Sequence, residues 1–191
     1  MTKIYFVRHA EPIHSWKDDR TRPLSQEGDS DSKKVTEYFR NFTVDAFISS
    51  PYKRSMDTIA GSASQHGMLI STDERFRERQ QGGGYKNFEM IRKRWSNFDY
   101  CEEGGETLNQ VQKRNIEALN EILSTNKDKS IVIGTHGTAL STILNHYDTL
   151  FNIDSFFRII DFIPYILRLD FEGVEYMGSE ELLIIEKPYN P

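Results

Sequence analysis

The residues of this chain that can do chemistry lie at the ends of its apolar runs. Residues 4–7 are apolar and lead directly into Arg8 and His9. Arg54 follows a second such run and His136 ends a third. A neutral imidazole nitrogen can attack phosphorus to form a phosphohistidine, and guanidinium groups bind phosphoryl oxygens through charged, planar donor pairs. These residue types together indicate the transfer of a phosphoryl group.

Each step of that chemistry has a candidate residue. The transition state spreads negative charge over three oxygens, so fixed donors supply much of the catalysis. His9 is the expected nucleophile, and Arg8, Arg54 and His136 are the expected donors. Glu78, in a charge-rich loop that also contains glycines, is the candidate proton donor. It would act first as an acid on the leaving oxygen and then as a base on the hydrolytic water.

These side chains meet only if their strands share one edge of a sheet. Buried strands are predicted in "KIYFVR", "VDAFISS", "MLISTD" and "SIVIGTHG", with helical patterns between them. This alternation predicts an α/β fold, a three-layer sandwich with a mostly parallel sheet and helices on both faces. Ligands of such sheets bind beyond the carboxyl ends of the strands, where the candidate residues lie.

The helix that carries Arg54 has predicted boundaries. Ser50 is a plausible N-cap, Pro51 a plausible first helical residue and Gly67 the stop signal. The chain end is predicted to form two strands around a turn at Glu172–Gly173, which could add an antiparallel edge. Residues 74–85 are expected to form a loop. Further helices are expected within four segments, 24–42, 88–100, 105–123 and 139–151.

Composition excludes several classes of protein. The chain has 191 residues, of which 37% are hydrophobic, and a net charge of -5. This composition is typical of a globular protein, and the net negative charge argues against non-specific nucleic-acid binding. A single cysteine, Cys101, permits no intramolecular disulfide and favours a reducing compartment. With no signal peptide and no apolar run long enough to span a membrane, we expect a soluble cytoplasmic protein with no membrane partner and a small phosphorylated substrate.

The motifs resemble those of the histidine phosphatase superfamily, also called phosphoglycerate mutase-like, and occur in its order. The family's Arg-His-Gly motif stands here as "RHA" at 8–10, and "SSPYKRSMDTIA" is similar to its second-arginine motif. "RERQQGG" resembles the segment with the acidic Glu, "GETL" a later helix start, and "THGT" the second-histidine motif.

The resemblance implies a phosphoglycerate mutase-like fold in one domain over residues 1–191. It implies a route without cofactor or metal, through a phosphohistidine on His9. It also carries the family's catalytic roles onto the matching positions, which are Arg8, His9, Arg54, Glu78 and His136.

Two departures from the family's pattern concern substrate binding. Mutases and many small-metabolite phosphatases of the family have an asparagine at the position that is Ser15 here. The motif "RPL" at 22–24 resembles the Arg-Pro-Leu of phosphohistidine-protein phosphatases, which suggests that Arg22 reaches the phosphate. The chain is also shorter than typical mutases, which favours hydrolysis. The alternatives are a phosphoglycerate mutase and an inactive member that only binds a phospho-ligand.

Other groupings of residues have simpler interpretations. His9, His14, His136 and Glu78 could suggest a metal site, but no pair has the usual ligand spacing and the arginines would repel a cation. We interpret His14, His66 and His146 as surface or structural residues. The aromatic residues of one less family-like segment either belong to the core or line a pocket for an aryl or nucleoside-like leaving group. They are Tyr85, Phe88, Trp95, Phe98 and Tyr100.

Overall fold

The computed structural model describes residues 1–83 and 87–187, and their strands form one six-stranded sheet. The strands are β1 (Thr2–Arg8), β2 (Ala46–Ser49), β3 (Ile70–Thr72), β4 (Ser130–Thr135), β5 (Phe162–Glu172) and β6 (Glu175–Glu186). They lie in the order β3-β2-β4-β1-β5-β6. The first four strands of that order are parallel, and β5 and β6 add an antiparallel edge.

In the residues that the structure describes, six α-helices cover the two faces of this sheet. They are α1 (Gln26–Phe39), α2 (Lys53–Gln65), α3 (Phe88–Ser96), α4 (Leu108–Thr125), α5 (Gly137–Tyr147) and α6 (Ile153–Ile159). Successive residues of β1 point to opposite faces. Ile4 and Phe6 pack with residues of α4, α5 and α6, whereas Tyr5 and Val7 pack with α1 and α2. The predicted α/β sandwich with helices on both faces and a mostly parallel sheet is confirmed.

Several helix boundaries differ from the sequence prediction. The helix α2 begins at Lys53 with Tyr52 as its N-cap, so the assignment of Ser50 and Pro51 was wrong. The Ser50 hydroxyl is instead bonded to His136. The predicted stop is confirmed, because α2 ends at Gln65 and Gly67 has a φ of 66°.

The segment after β4 contains two helices where one was predicted. The helix α5 ends at Tyr147, and Asn152 then caps α6 by accepting from the N–H groups of Asp154 and Ser155. A seven-residue helix offers too few turns for its periodicity to be recognised. A short 3-10 helix, Glu74–Phe76, also lies in a segment predicted as loop, where the Asp73 carboxylate caps it.

Strand register aligns the ends of three neighbouring strands. Arg8 at the end of β1 pairs with Thr135 at the end of β4, and Ser49 of β2 pairs with Gly134. The next residue along each strand therefore leaves the sheet at the same edge. Those residues are His9, Ser50 and His136.

Candidate active site

His9 is buried just beyond β1, with both ring nitrogens engaged. Its Nδ1 lies 2.8 Å from the Ala10 carbonyl oxygen, and since a carbonyl only accepts, Nδ1 carries the proton. Nε2 keeps its lone pair and accepts from the Arg54 Nε–H at 3.2 Å. Burial, with the charges of Arg54 and Arg8, lowers the pKa of His9 well below its usual value. The ring is therefore neutral, with its lone pair on Nε2.

The buried guanidinium of Arg54 is held by an aspartate that sequence reasoning missed. Its Nη1 donates to the Asp19 backbone oxygen at 2.6 Å and lies 3.2 Å from the carboxylate Oδ1. Arg22 Nη1 lies 2.8 Å from the same Oδ1. Asp19 thus bridges Arg54 and Arg22. Arg22 is the residue that the sequence suggested as a further phosphate ligand.

Arg8 is fixed by the end of α6 and the following turn. Its Nη1 donates to the carbonyl oxygens of Ile159, Ile160 and Phe162 at 2.6, 3.0 and 3.3 Å. On the other side, a Cβ added to Gly137 would lie 3.2 Å from the Arg8 Cζ and Nη2. A glycine after His136 therefore lets the start of α5 approach this guanidinium closely.

His136 is fully buried and stands beside His9. Its ring centroid is 5.2 Å from that of His9, with an interplanar angle of 61°. Its Nε2 lies 2.7 Å from Ser50 Oγ, and the Tyr52 ring packs against it at 5.1 Å. Burial, with the nearby charge of Arg54, lowers the pKa of His136 well below its usual value, so this ring is also neutral.

Glu78 lies against the first turn of α5, close in the fold to His136. Its carboxylate accepts from the backbone N–H groups of Thr138 at 3.1 Å and Ala139 at 3.2 Å, and from Arg79 N–H at 2.8 Å. Two of the N–H groups at the start of α5 are thus bound to Glu78.

The loop 13–22 places the two candidate substrate-binding residues differently. Arg22 is mostly buried and donates to the Trp16 carbonyl from Nε at 3.3 Å and from Nη2 at 3.2 Å. Ser15 is exposed, and no hydrogen bond joins its side chain to any residue in the described part of the chain. An ion pair between Arg20 and Glu74 ties the loop to the 3-10 helix.

A cavity opens beside Glu78 and Arg8 and continues under α3. Its apolar wall includes Phe88, Trp95 and Phe156, while Phe98 and Tyr100 are not among its lining residues and Tyr85 lies outside the residues described. The cavity also contains a charged triad in which the Glu102 carboxylate pairs with Arg79, at 2.5 Å, and with Arg94. The exposed fraction of the side chain is 12% for Glu102, 5% for Arg79 and 19% for Arg94.

Residues 1–83 and 87–187 contain neither a metal-binding cluster nor a membrane-spanning helix. No group of three or more His, Cys, Asp or Glu side chains there is placed to hold a metal ion. Within the same ranges, no helix is long and apolar enough to cross a bilayer.

Replacing Asp19 by Asn is expected to strengthen the binding of inorganic phosphate. The Asp19 carboxylate pairs with Arg54 and Arg22, so a phosphate that used these guanidinium groups would have to compete with it. It is 42% exposed, so after solvent screening the gain is about 0.5–1 kcal/mol, or about two- to fivefold in Kd. Calorimetric titration with phosphate measures it. Asp18→Asn, on the same loop, is the matched control, and weaker binding by Asp19→Asn would show instead that Asp19 holds Arg54 in place.

Comparisons with known proteins place the chain in a family. The model of the histidine phosphatase superfamily (branch 1) matches residues 4–159. The uncharacterized phosphatase PhoE of Bacillus subtilis (strain 168) is 27% identical over 150 residues, covering 75% of this chain and 76% of that protein. The solved structure of Bacillus stearothermophilus YhfR has a TM-score of 0.76 at 22% identity, covering 93% of this chain and 95% of its own.

A further solved structure shares the fold at lower identity. Mycobacterial glucosyl-3-phosphoglycerate phosphatase has a TM-score of 0.75 at 15% identity, covering 94% of this chain and 96% of its own. The family match itself extends from β1 to the end of α6 and includes every histidine, arginine and glutamate of the site described above. The chain therefore belongs to the histidine phosphatase superfamily, branch 1.

Proposed function

We propose that this protein hydrolyses a phosphomonoester through a phosphohistidine on His9. The observation that carries the proposal is the state of the His9 ring, which is neutral and has its Nε2 lone pair beside the Arg54 guanidinium. Phosphoryl transfer to a histidine requires a nucleophilic lone pair with a fixed cation beside it, and His9 Nε2 and Arg54 provide this arrangement. Membership of a phosphatase family supports the same conclusion.

The reaction proceeds in two transfers. In the first, Nε2 of His9 forms a bond to phosphorus while the bond to the ester oxygen breaks, and Glu78 gives a proton to the leaving alkoxide. In the second, water attacks phosphorus, Glu78 takes a proton from that water, and the bond to Nε2 breaks. Free His9 and inorganic phosphate result. Arg8, Arg54 and His136 stabilise the charge on the phosphoryl oxygens in both transfers.

The lining of the cavity next to Glu78 favours a substrate whose leaving group has an apolar surface. Phe88, Ile91 and Trp95 of α3 and Phe156 of α6 form one wall of it. Trp95 also packs on Phe156 with ring centroids 5.4 Å apart, so it belongs partly to the core. Phe88 packs against Phe157 with ring centroids 5.6 Å apart, and its side chain is 45% exposed on the cavity wall. We therefore propose aryl or similarly apolar phosphate esters as the preferred substrates.

Phe88→Ala is expected to lower kcat/KM selectively for aryl phosphates. Loss of the contact between a half-buried ring and the leaving group corresponds to about 1–2 kcal/mol, or about five- to thirtyfold. The change is measured as the ratio of kcat/KM for phenyl phosphate to that for a short alkyl phosphate. Tyr100→Ala, an aromatic change outside the cavity lining, is the control. An equal loss on both substrates would contradict an apolar leaving-group site.

On the acidic side of the pH profile, kcat/KM is expected to fall only at a pH below the usual histidine pKa of about 6.5. Burial depresses the pKa of His9 in the folded protein, so the nucleophile becomes protonated only when the pH falls well below that value. The measurement is kcat/KM against pH, which reports the free enzyme, corrected for titration of the substrate phosphate. Loss of activity already near or above pH 6.5 would mean that His9 is not held neutral.

Product analysis separates hydrolysis from the alternative activities. The protein is incubated with 4-nitrophenyl phosphate and, separately, with phosphoglycerates with and without a bisphosphate primer. We expect release of inorganic phosphate without a primer. Phosphate that appears on a second hydroxyl, with dependence on the primer, would indicate a mutase instead. Function left unchanged by His9→Ala would indicate a member that only binds a phospho-ligand.

A further inference from the structure

Ser50 is a fully buried residue whose hydroxyl contacts the second histidine of the site. Its Oγ lies 2.7 Å from His136 Nε2, and the Tyr52 backbone N–H donates to the same oxygen at 3.2 Å. The Ser50 backbone N–H donates to the Gly134 carbonyl at 2.9 Å, which fixes the residue against β4. The hydroxyl is thus held between the β2–α2 turn and the histidine that follows β4.

The direction of this hydrogen bond decides which nitrogen of His136 carries the proton. If Nε2–H donates, Ser50 Oγ accepts from both His136 and Tyr52, and the hydroxyl proton has no acceptor among the hydrogen bonds of the described residues. If the hydroxyl donates, Nε2 is the acceptor and Nδ1 carries the proton. The second arrangement uses the hydroxyl as both donor and acceptor.

The other ring nitrogen gives an independent reason for the second arrangement. Nδ1 of His136 is buried and has no hydrogen-bond partner among the residues that the structure describes. Buried polar atoms are almost always hydrogen-bonded, so its partner is expected to come from a ligand. The nearby guanidinium groups of Arg54 and Arg8 attract an anion, and an anion's oxygen accepts from an N–H but repels a lone pair.

We propose that Ser50 is a positioning residue that holds neutral His136 in the Nδ1–H tautomer, so that Nδ1–H donates to an oxygen of the transferring phosphoryl group. The identity of that acceptor rests on the proposed function. His9 is held in the same tautomer by the Ala10 carbonyl, with the opposite result. In His9, Nδ1–H donates to the Ala10 carbonyl and the Nε2 lone pair attacks phosphorus. In His136, the Nε2 lone pair accepts from the Ser50 hydroxyl and Nδ1–H donates to the phosphoryl group.

The tautomer can be read directly by NMR, without any activity measurement. In the 15N-labelled protein at neutral pH, long-range correlations from ring carbon protons distinguish protonated from unprotonated ring nitrogens. His136→Asn identifies the signals of His136 by their loss. We expect a protonated Nδ1 and an unprotonated Nε2 in the wild type, and a change of the Nδ1–H signal when inorganic phosphate is added. A protonated Nε2 in the wild type would overturn the proposal.

Variants at Ser50 test whether the hydroxyl is the cause. Ser50→Ala should shift His136 towards the Nε2–H form. It should lower kcat about 10- to 100-fold, by analogy with the loss of hydrogen-bond partners that orient metal-ligating histidines, with a smaller change in KM. Ser50→Thr, which keeps a hydroxyl, should restore both. The matched control is Ser49→Ala, because the Ser49 hydroxyl is also buried but donates to Ser55 at 3.0 Å.

The outcomes separate this proposal from the proposed function. An unchanged tautomer and an unchanged kcat in Ser50→Ala would overturn the role of Ser50 and leave phosphatase activity standing. A wild type without phosphatase activity would overturn the proposed function, while its NMR spectrum would still decide the tautomer. The wild-type spectrum needs no substitution at Ser50, so the test does not depend on the folding of that variant.

Discussion

Replacing His9 by Ala is expected to lower kcat for phosphomonoester hydrolysis by about 10⁴-fold or more, as for other covalent nucleophiles. The change removes the atom to which the phosphoryl group is transferred. Arg8, Arg54 and His136 remain, so inorganic phosphate should still bind. The measurements are steady-state hydrolysis of 4-nitrophenyl phosphate and calorimetric binding of phosphate.

The controls for this change address folding and residue type. His146→Ala removes an exposed histidine in the last turn of α5 and should leave kcat unchanged. His9→Asn provides a second variant that keeps a polar side chain at the buried position. Residual activity within about tenfold of the wild type in either His9 variant, well inside the loss expected of a nucleophile, would contradict covalent catalysis by His9.

Glu78→Gln is expected to lower kcat strongly for alkyl phosphates and much less for the first transfer from 4-nitrophenyl phosphate. General acid–base groups contribute about 10²- to 10⁴-fold, and an alkoxide needs the proton that Glu78 supplies. The nitrophenolate leaves as a stable anion and does not. The first transfer is measured as a rapid burst of nitrophenol, and overall turnover by phosphate release.

An isosteric change elsewhere controls for the loss of charge. Glu103→Gln replaces an exposed carboxylate outside the cavity lining and should change neither rate. A Glu78→Gln variant that slows both substrates equally would show that Glu78 acts mainly by holding the start of α5, where it accepts from Thr138 and Ala139.

The parts of the fold that follow from local sequence were predictable. Successive side chains of β1 and β4 point to opposite faces of the sheet, and both faces are buried, so each strand is a continuous apolar run in the sequence. Their polar continuations, His9 and His136, must then emerge at one edge. The glycine at 67 ended α2 as predicted because it adopts a positive φ there.

The parts that depend on distant residues were not predictable from local patterns. Ser50 was assigned as an N-cap because serine before proline and a helical pattern commonly has that role. Its actual partner is His136, 86 residues away. Asp19 was not among the predicted site residues, but it contacts Arg54, which lies 35 positions further along the chain. The sequence contains no spacing signal for either contact, since each is created by the closing of the sheet.

Detection of the covalent intermediate tests the central claim most directly. The Glu78→Gln protein is mixed with 4-nitrophenyl phosphate, quenched under alkaline conditions that preserve phosphohistidine, and examined by intact-protein and peptide mass spectrometry. The first transfer should proceed while hydrolysis is slowed, so one phosphoryl group should accumulate on the peptide that contains His9, and none on His9→Ala. Continued turnover with no adduct, or an adduct on another residue that persists in His9→Ala, would contradict the account.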